Sequence, residues 1–125
     1  MGTNLKIKSK KLETLILQCS VHNLSFYMKI KSYLDTGDSR DKSYFDDEKY
    51  QIIFNLYSKF FDKRKKQPKK KTFDLLLESY CEKTKQTDEI KSYLFKIADQ
   101  MYSPIEGEVD FEEIEEQTIN FIKEN

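Results

Sequence analysis

A chain of 125 residues is the size of one domain with one core, too short for two separately cored units. Its 22 basic and 22 acidic residues cancel to a net charge of zero, so no overall charge marks it as a nucleic-acid or membrane-surface protein. Charged residues make up 35% of the chain, yet nine phenylalanines and eight tyrosines supply the large apolar side chains that a disordered chain lacks, so it should fold. Only three glycines and two prolines occur, too few turn residues for an all-β domain, and the expected class is all-α, a compact bundle of about six helices. No apolar run approaches the roughly 20 residues a membrane span needs, and no membrane contact is expected.

Residues 1–9 are lysine-rich and read as a flexible N-terminal segment, followed by a helical domain over 10–109. Leu12, Leu15, Ile16 and Cys19 fall at helical spacing and predict a first helix ending near His22 and Asn23. Phe26, Tyr27, Ile30 and Leu34 predict a second, packed on the first as a hairpin. A loop of turn-forming residues follows from Asp35 to Asp41 and contains Gly37. Asp46 is a good cap for a central helix carrying Tyr50, Ile53, Phe54, Tyr57, Phe60 and Phe61, which cannot continue through Pro68. Thr72 offers a cap for a helix with Phe73, Leu76, Leu77 and Tyr80, and Thr87 one for a helix with Ile90, Tyr93, Leu94, Ile97 and Met101.

After a break from Ser103 to Glu108, Asp110 and Glu113 stand in the spacing of a capping box, where the cap side chain and the residue three on satisfy each other's amides. The last helix, within 110–125, carries Phe111, Ile114, Ile119, Phe121 and Ile122. These positions cover more than one narrow stripe, so this helix reads as the start of a helical hairpin or linker, its apolar surface partly free for self-association.

Chemistry is sparse. His22 is the only histidine and sits at a helix end, so it has no general-base role, and Cys19 and Cys81 read as buried free thiols of a reducing compartment. No histidine and cysteine spacing suits a metal, no glycine-rich loop suits a phosphate, and neither catalysis nor a cofactor is expected. Charge is the other organising feature. Lys63, Arg64, Lys65, Lys66, Lys69, Lys70 and Lys71 fill seven of nine positions, whereas Glu106, Glu108, Asp110, Glu112, Glu113, Glu115 and Glu116 fill seven of eleven, so the molecule is expected to be bipolar. The basic run is either a solvated helix end or a site of weak, non-specific contact with nucleic-acid phosphates or with a partner protein.

In order, Leu12 to Leu17, Phe26 to Leu34, Tyr44-Phe45, Tyr50, Ile53-Phe54, Phe60-Phe61, Pro68, Leu75 to Leu77, Leu94 to Ala98 and Glu113 to Ile122 resemble the N-terminal domain of DnaB-type replicative DNA helicases, most closely the versions of tailed phages. The similarity runs over about residues 10 to 125 and is carried by spaced hydrophobic and aromatic positions. It implies a collar domain of a hexameric ring, in which neighbouring subunits pair through helical hairpins and a primase or helicase loader docks, in the cytoplasm of a bacterium or a phage-infected host. The hairpin ends after its first helix here, and three lysines follow Pro68 where the family often has an acidic or hydroxyl residue. ATP hydrolysis in that family belongs to a following RecA-like domain, whose GxxxxGK[ST] signature this sequence does not contain. Two other readings of the residues are a free-standing helical protein that binds nucleic acid through its lysine loop, and a small helical protein-protein adaptor.

Overall fold

A computed structural model describes residues 10–34 and 43–123. The segment 1–9 and the loop expected over Asp35 to Asp41 lie outside the described residues, as does the side chain of Phe121. Among the described residues the fold is all-helical, with α1 at Lys10–His22, α2 at Leu24–Leu34, α3 at Glu48–Arg64, α4 at Lys70–Lys83, α5 at Asp88–Tyr102 and α6 at Phe111–Lys123. None of these helices is long and apolar enough to cross a membrane.

Helix starts follow hydrogen-bond logic, with corrections at four places. Thr87 caps α5 as expected, its hydroxyl accepting from the Ile90 amide at 3.2 Å. The cap of α3 is Asp47 and not Asp46, because Asp47 adopts extended backbone and its carboxylate accepts from the Lys49 amide at 3.0 Å. Thr72 does not begin α4. That helix starts three residues earlier than a Thr72 cap would place it, with Lys69 at the cap position, no side chain bonding there, because the buried Pro68 ends the preceding loop and the Lys69 carbonyl already accepts from Phe73. At α6 only half of the capping box forms. Asp110 accepts from the amides of Glu112 and Glu113 at 3.1 and 3.2 Å, while the Glu113 carboxylate accepts from Gln117 instead. The expected α1 and α2 hairpin is a tight corner. Asn23 alone separates the two helices, less than the roughly 2 to 5 residues a helical hairpin loop uses.

The core is aromatic at its centre. Tyr27 is fully buried with its ring 5.2 Å from Tyr57, 5.1 Å from Phe61 and 6.0 Å from Phe54, and its hydroxyl donates to Ser58 at 3.0 Å. Ile53, Phe54 and Tyr57 of α3 are buried with Leu77 of α4 and Leu94 and Ile97 of α5, the packing that their stripes predict; Leu76 is only half-buried. Gln51 is a polar exception inside this core. Its amide donates to the Leu34 carbonyl and accepts from the Tyr44 amide, both at 2.9 Å, tying the end of α2 to the start of α3.

The six helices leave two distinct ends. Lys10 at the start of α1, Asp47 at the start of α3 and Tyr93 in α5 meet at one. At the other, the end of α1, the start of α2, the α3–α4 loop, the end of α5 and the start of α6 converge through Gln67, Tyr102, Ser103 and Phe111.

Candidate interaction surface

The basic run occupies the last turn of α3, the loop after it and the first turn of α4. Lysine and arginine at a helix C-terminus complement its partial negative charge, which accounts for Lys63 and Arg64. Lys65 closes α3 in left-handed conformation at φ 60°, its amide bonding to the Phe61 carbonyl at 2.7 Å.

This loop is fixed from below. The Gln67 amide donates to the Ser20 carbonyl at 2.7 Å and to the Tyr57 hydroxyl at 2.8 Å, and Pro68 is buried with its carbonyl accepting from Tyr102 at 2.6 Å. Burial pushes both tyrosine hydroxyls above the ordinary tyrosine value, so they stay protonated as fixed polar groups. Lys70 folds inward onto Asp74 at 2.7 Å and Asp99 at 2.8 Å. Burial alone would lower its pKa, but these two carboxylates outweigh it and hold the ammonium charged. Lys63, Arg64, Lys65, Lys66, Lys69 and Lys71 are exposed and form no ion pair with another described residue. A clamped loop therefore presents six cations to solvent.

The acidic run emerges at the same end, so the charges do not form two poles. His22 Nε2 lies 2.8 Å from the Ser103 carbonyl, and the ring of Phe111 sits 6.4 Å from that of Phe26, edge-on. Both contacts hold the segment 103–111 against the α1 and α2 corner that Gln67 also grips. Glu106, Glu108, Asp110, Glu112, Glu113 and Glu116 are exposed, and Glu115 pairs with Lys29 at 3.7 Å.

The apolar positions of α6 are more occupied than expected. Phe111, Ile114 and Ile119 are half-buried, and Ile122, expected at a free surface, is 8% exposed and part of the core, because α6 lays this face on α2 and α1. Among the described residues the exposed large apolar side chains are elsewhere: Leu24 and Met28 on α2, and Leu75 on α4. Their helical spacing sets Leu24 and Met28 one turn apart, off the stripe of Phe26, Tyr27, Ile30 and Leu34, a signal present in the sequence.

Cys19 and Cys81 are buried and free, and burial pushes the Cys19 thiol up to about 11. No group of three or more histidine, cysteine, aspartate or glutamate side chains is placed to hold a metal among the described residues. Comparison with protein families, curated proteins and solved structures finds no match for this chain.

Proposed function

We propose that this chain is the N-terminal interaction domain of a DnaB-type replicative DNA helicase, most like those of tailed phages. It acts in the cytoplasm of a bacterium or an infected host, without catalysis, by contacting neighbouring helicase subunits and a primase or helicase loader. One observation supports this reading. The six helices and their breaks at Asn23, at 65–69, at 84–87 and at 103–110 follow the order of the residues that carry the resemblance. The clamped, charged end gives such a domain a surface for protein contact, since rims of protein interfaces are polar and charged. ATP binding and hydrolysis are left to a RecA-like domain.

The test is a graft. Placed ahead of a DnaB-type ATPase domain stripped of its own N-terminal domain, the chain should restore closed hexameric rings with a collar visible by electron microscopy. It should also restore stimulation by a primase, while the chain alone shows no ATP turnover. Rings no better formed than those of the bare ATPase domain would refute the reading.

The exposed cations of the α3–α4 loop favour a second reading, direct contact with nucleic-acid phosphates. It requires an affinity for oligonucleotides that falls steeply and log-linearly with salt.

A further inference from the structure

Among the described residues Glu13 is the only carboxylate, lysine or arginine that is buried, at 0% exposure, and it lies in the first turn of α1. One of its carboxyl oxygens accepts from the Asp47 amide at 3.3 Å, with the Asp46 amide also contributing, and the other has no partner. No described cation forms an ion pair with it. The charged and titratable groups around it come from three elements. Lys10, one turn back on α1, gives its ammonium to Asp47 at 3.1 Å and to the Tyr93 hydroxyl at 2.8 Å, its side chain 63% exposed. The start of α3 brings the Asp47 carboxylate and the Tyr50 hydroxyl, which lies 3.4 Å from that of Thr14, and α5 brings Tyr93. No described residue of α2 or α6 bonds the carboxyl.

A buried carboxylate with an unbonded oxygen is costly, whereas the neutral acid gives up no ion solvation. Asp47 beside it is ionised, because bonds from Tyr93, Lys49 and Lys10 outweigh burial and hold it below the ordinary 3.8. An ionised Glu13 therefore adds a second negative charge to the same corner. Burial, and after it the Asp47 charge, lifts the Glu13 carboxyl above the ordinary 4.5, against the two amides and Lys10. We infer that Glu13 is a proton-operated latch: neutral, it fastens the first turn of α1 to the start of α3; ionised, it releases that turn while the rest of the bundle stays folded. Release is local because the other tie on this turn, from Lys10, lies near solvent where ion pairs are weak, and the core begins deeper in α1, at Ile16 and Leu17. A group with a raised folded pKa contributes stability below its unfolded value and loses it as pH rises through the folded one. Asp47 acts in the opposite sense, contributing above 3.8 and losing that contribution as pH falls through its lowered value. Both act fully between 3.8 and 4.5, and the latch opens as acidity decreases from there. It does not depend on the helicase reading or on what the α3–α4 loop binds.

Amide hydrogen exchange followed by NMR across pH, corrected for the intrinsic rate, tests this together with the resonance of the Glu13 carboxyl carbon. In wild type that resonance should titrate above 4.5. The amides of Thr14 and Leu15, which close the first turn, and that of Asp47 should lose protection over the same pH range, by about tenfold for each unit between the folded and unfolded values. The amides of Lys65 and Phe73 at the other end should keep theirs. Glu13→Gln, neutral and of the same shape, should hold the turn closed at every pH. The inference is overturned by a Glu13 carboxyl that titrates at or below 4.5, by protection that falls at both ends together, or by Glu13→Gln losing protection along the wild-type curve. Should that variant fail to fold, wild type alone still decides, because the carboxyl titration and the loss of amide protection must coincide.

Discussion

The two ends of this bundle are built from the same kinds of side chain and use them in opposite ways. At the α1 and α3 start, Lys10 donates to Asp47 at 3.1 Å and to the Tyr93 hydroxyl at 2.8 Å, while Tyr93 donates to Asp47 at 2.8 Å. The Lys10 ammonium also lies 5.5 Å from the ring centres of Tyr50 and Tyr93. Its bonds to Tyr93 and Asp47 raise the Lys10 pKa. Burial would raise that of Asp47, but bonds from Tyr93, Lys49 and Lys10 lower it. At the α3–α4 loop, only Lys70 is consumed this way and its neighbours point outward. A charge cluster that closes on itself fixes helices together. One that stays open, on a loop held from beneath, is available to a partner.

The comparison breaks first if the core joining the two ends is removed. Phe54 is 1% exposed and packs against Tyr27 and Phe45, so Phe54→Ala should cost about 3 to 5 kcal/mol and unfold both ends together in a chemical melt. Loss of helical signal in two separate transitions would show that the ends are independent units.

A smaller effect distinguishes the closed end. Asp47→Ala deletes the α3 cap, leaves the Tyr93 hydroxyl without its acceptor and takes the carboxylate partner from Lys10, which should cost about 2 kcal/mol. A melting temperature within error of wild type would mean that this network is ornamental.

The charge of Glu13 sharpens the same end. Its side chain is fully buried, one carboxylate oxygen accepts from the Asp47 amide at 3.3 Å and the other has no partner in the described structure. Burial raises its pKa above the ordinary 4.5, with hydrogen bonds from the Asp47 and Asp46 amides opposing. A carboxyl with a raised folded pKa binds its proton more tightly folded than unfolded. Its contribution to stability is therefore present below the unfolded value and lost as pH rises from there through the folded value. Asp47, shifted down, acts in the opposite sense, contributing above its unfolded value and losing that contribution as pH falls through its folded one. Wild type should gain stability from this carboxyl on mild acidification, and Glu13→Gln should remove that gain while being at least as stable at neutral pH. Identical pH profiles for the two proteins would exclude a buried, titrating Glu13.

Most helix positions were legible because aromatic and aliphatic residues recur at helical spacing, and Thr87 was legible as a cap because its bond is local. Asp46 and Asp47 are indistinguishable as local caps; the choice depends on Glu13, Lys10 and Tyr93, which sit far away in sequence. Thr72 points to a later start for α4 than the one observed, because the turn is set by Pro68 against Tyr102, a contact spanning 34 positions. The lysine run was plain, but its rigidity was not, since Gln67 is held by Ser20, 47 residues earlier. That both charged runs share one end follows from chain direction. Two helices, α4 and α5, separate them, and a chain that reverses twice returns to the end it left.

The smallest expected effect is at the open end, and it is the one that decides whether that end is structural. Lys66 and Lys69 are exposed and bond no other described side chain, so Lys66→Ala with Lys69→Ala should shift stability by less than about 0.5 kcal/mol. Gln67→Ala is the internal control: it removes bonds to Ser20 and Tyr57 beneath the same loop and should cost about 1 kcal/mol. If the lysine pair costs as much as the glutamine, the cations support the fold through contacts of their own, and the contrast between a closed and an open end disappears. If only the glutamine matters, the loop is held by its uncharged residue, and its lysines are left free to contact something outside the bundle.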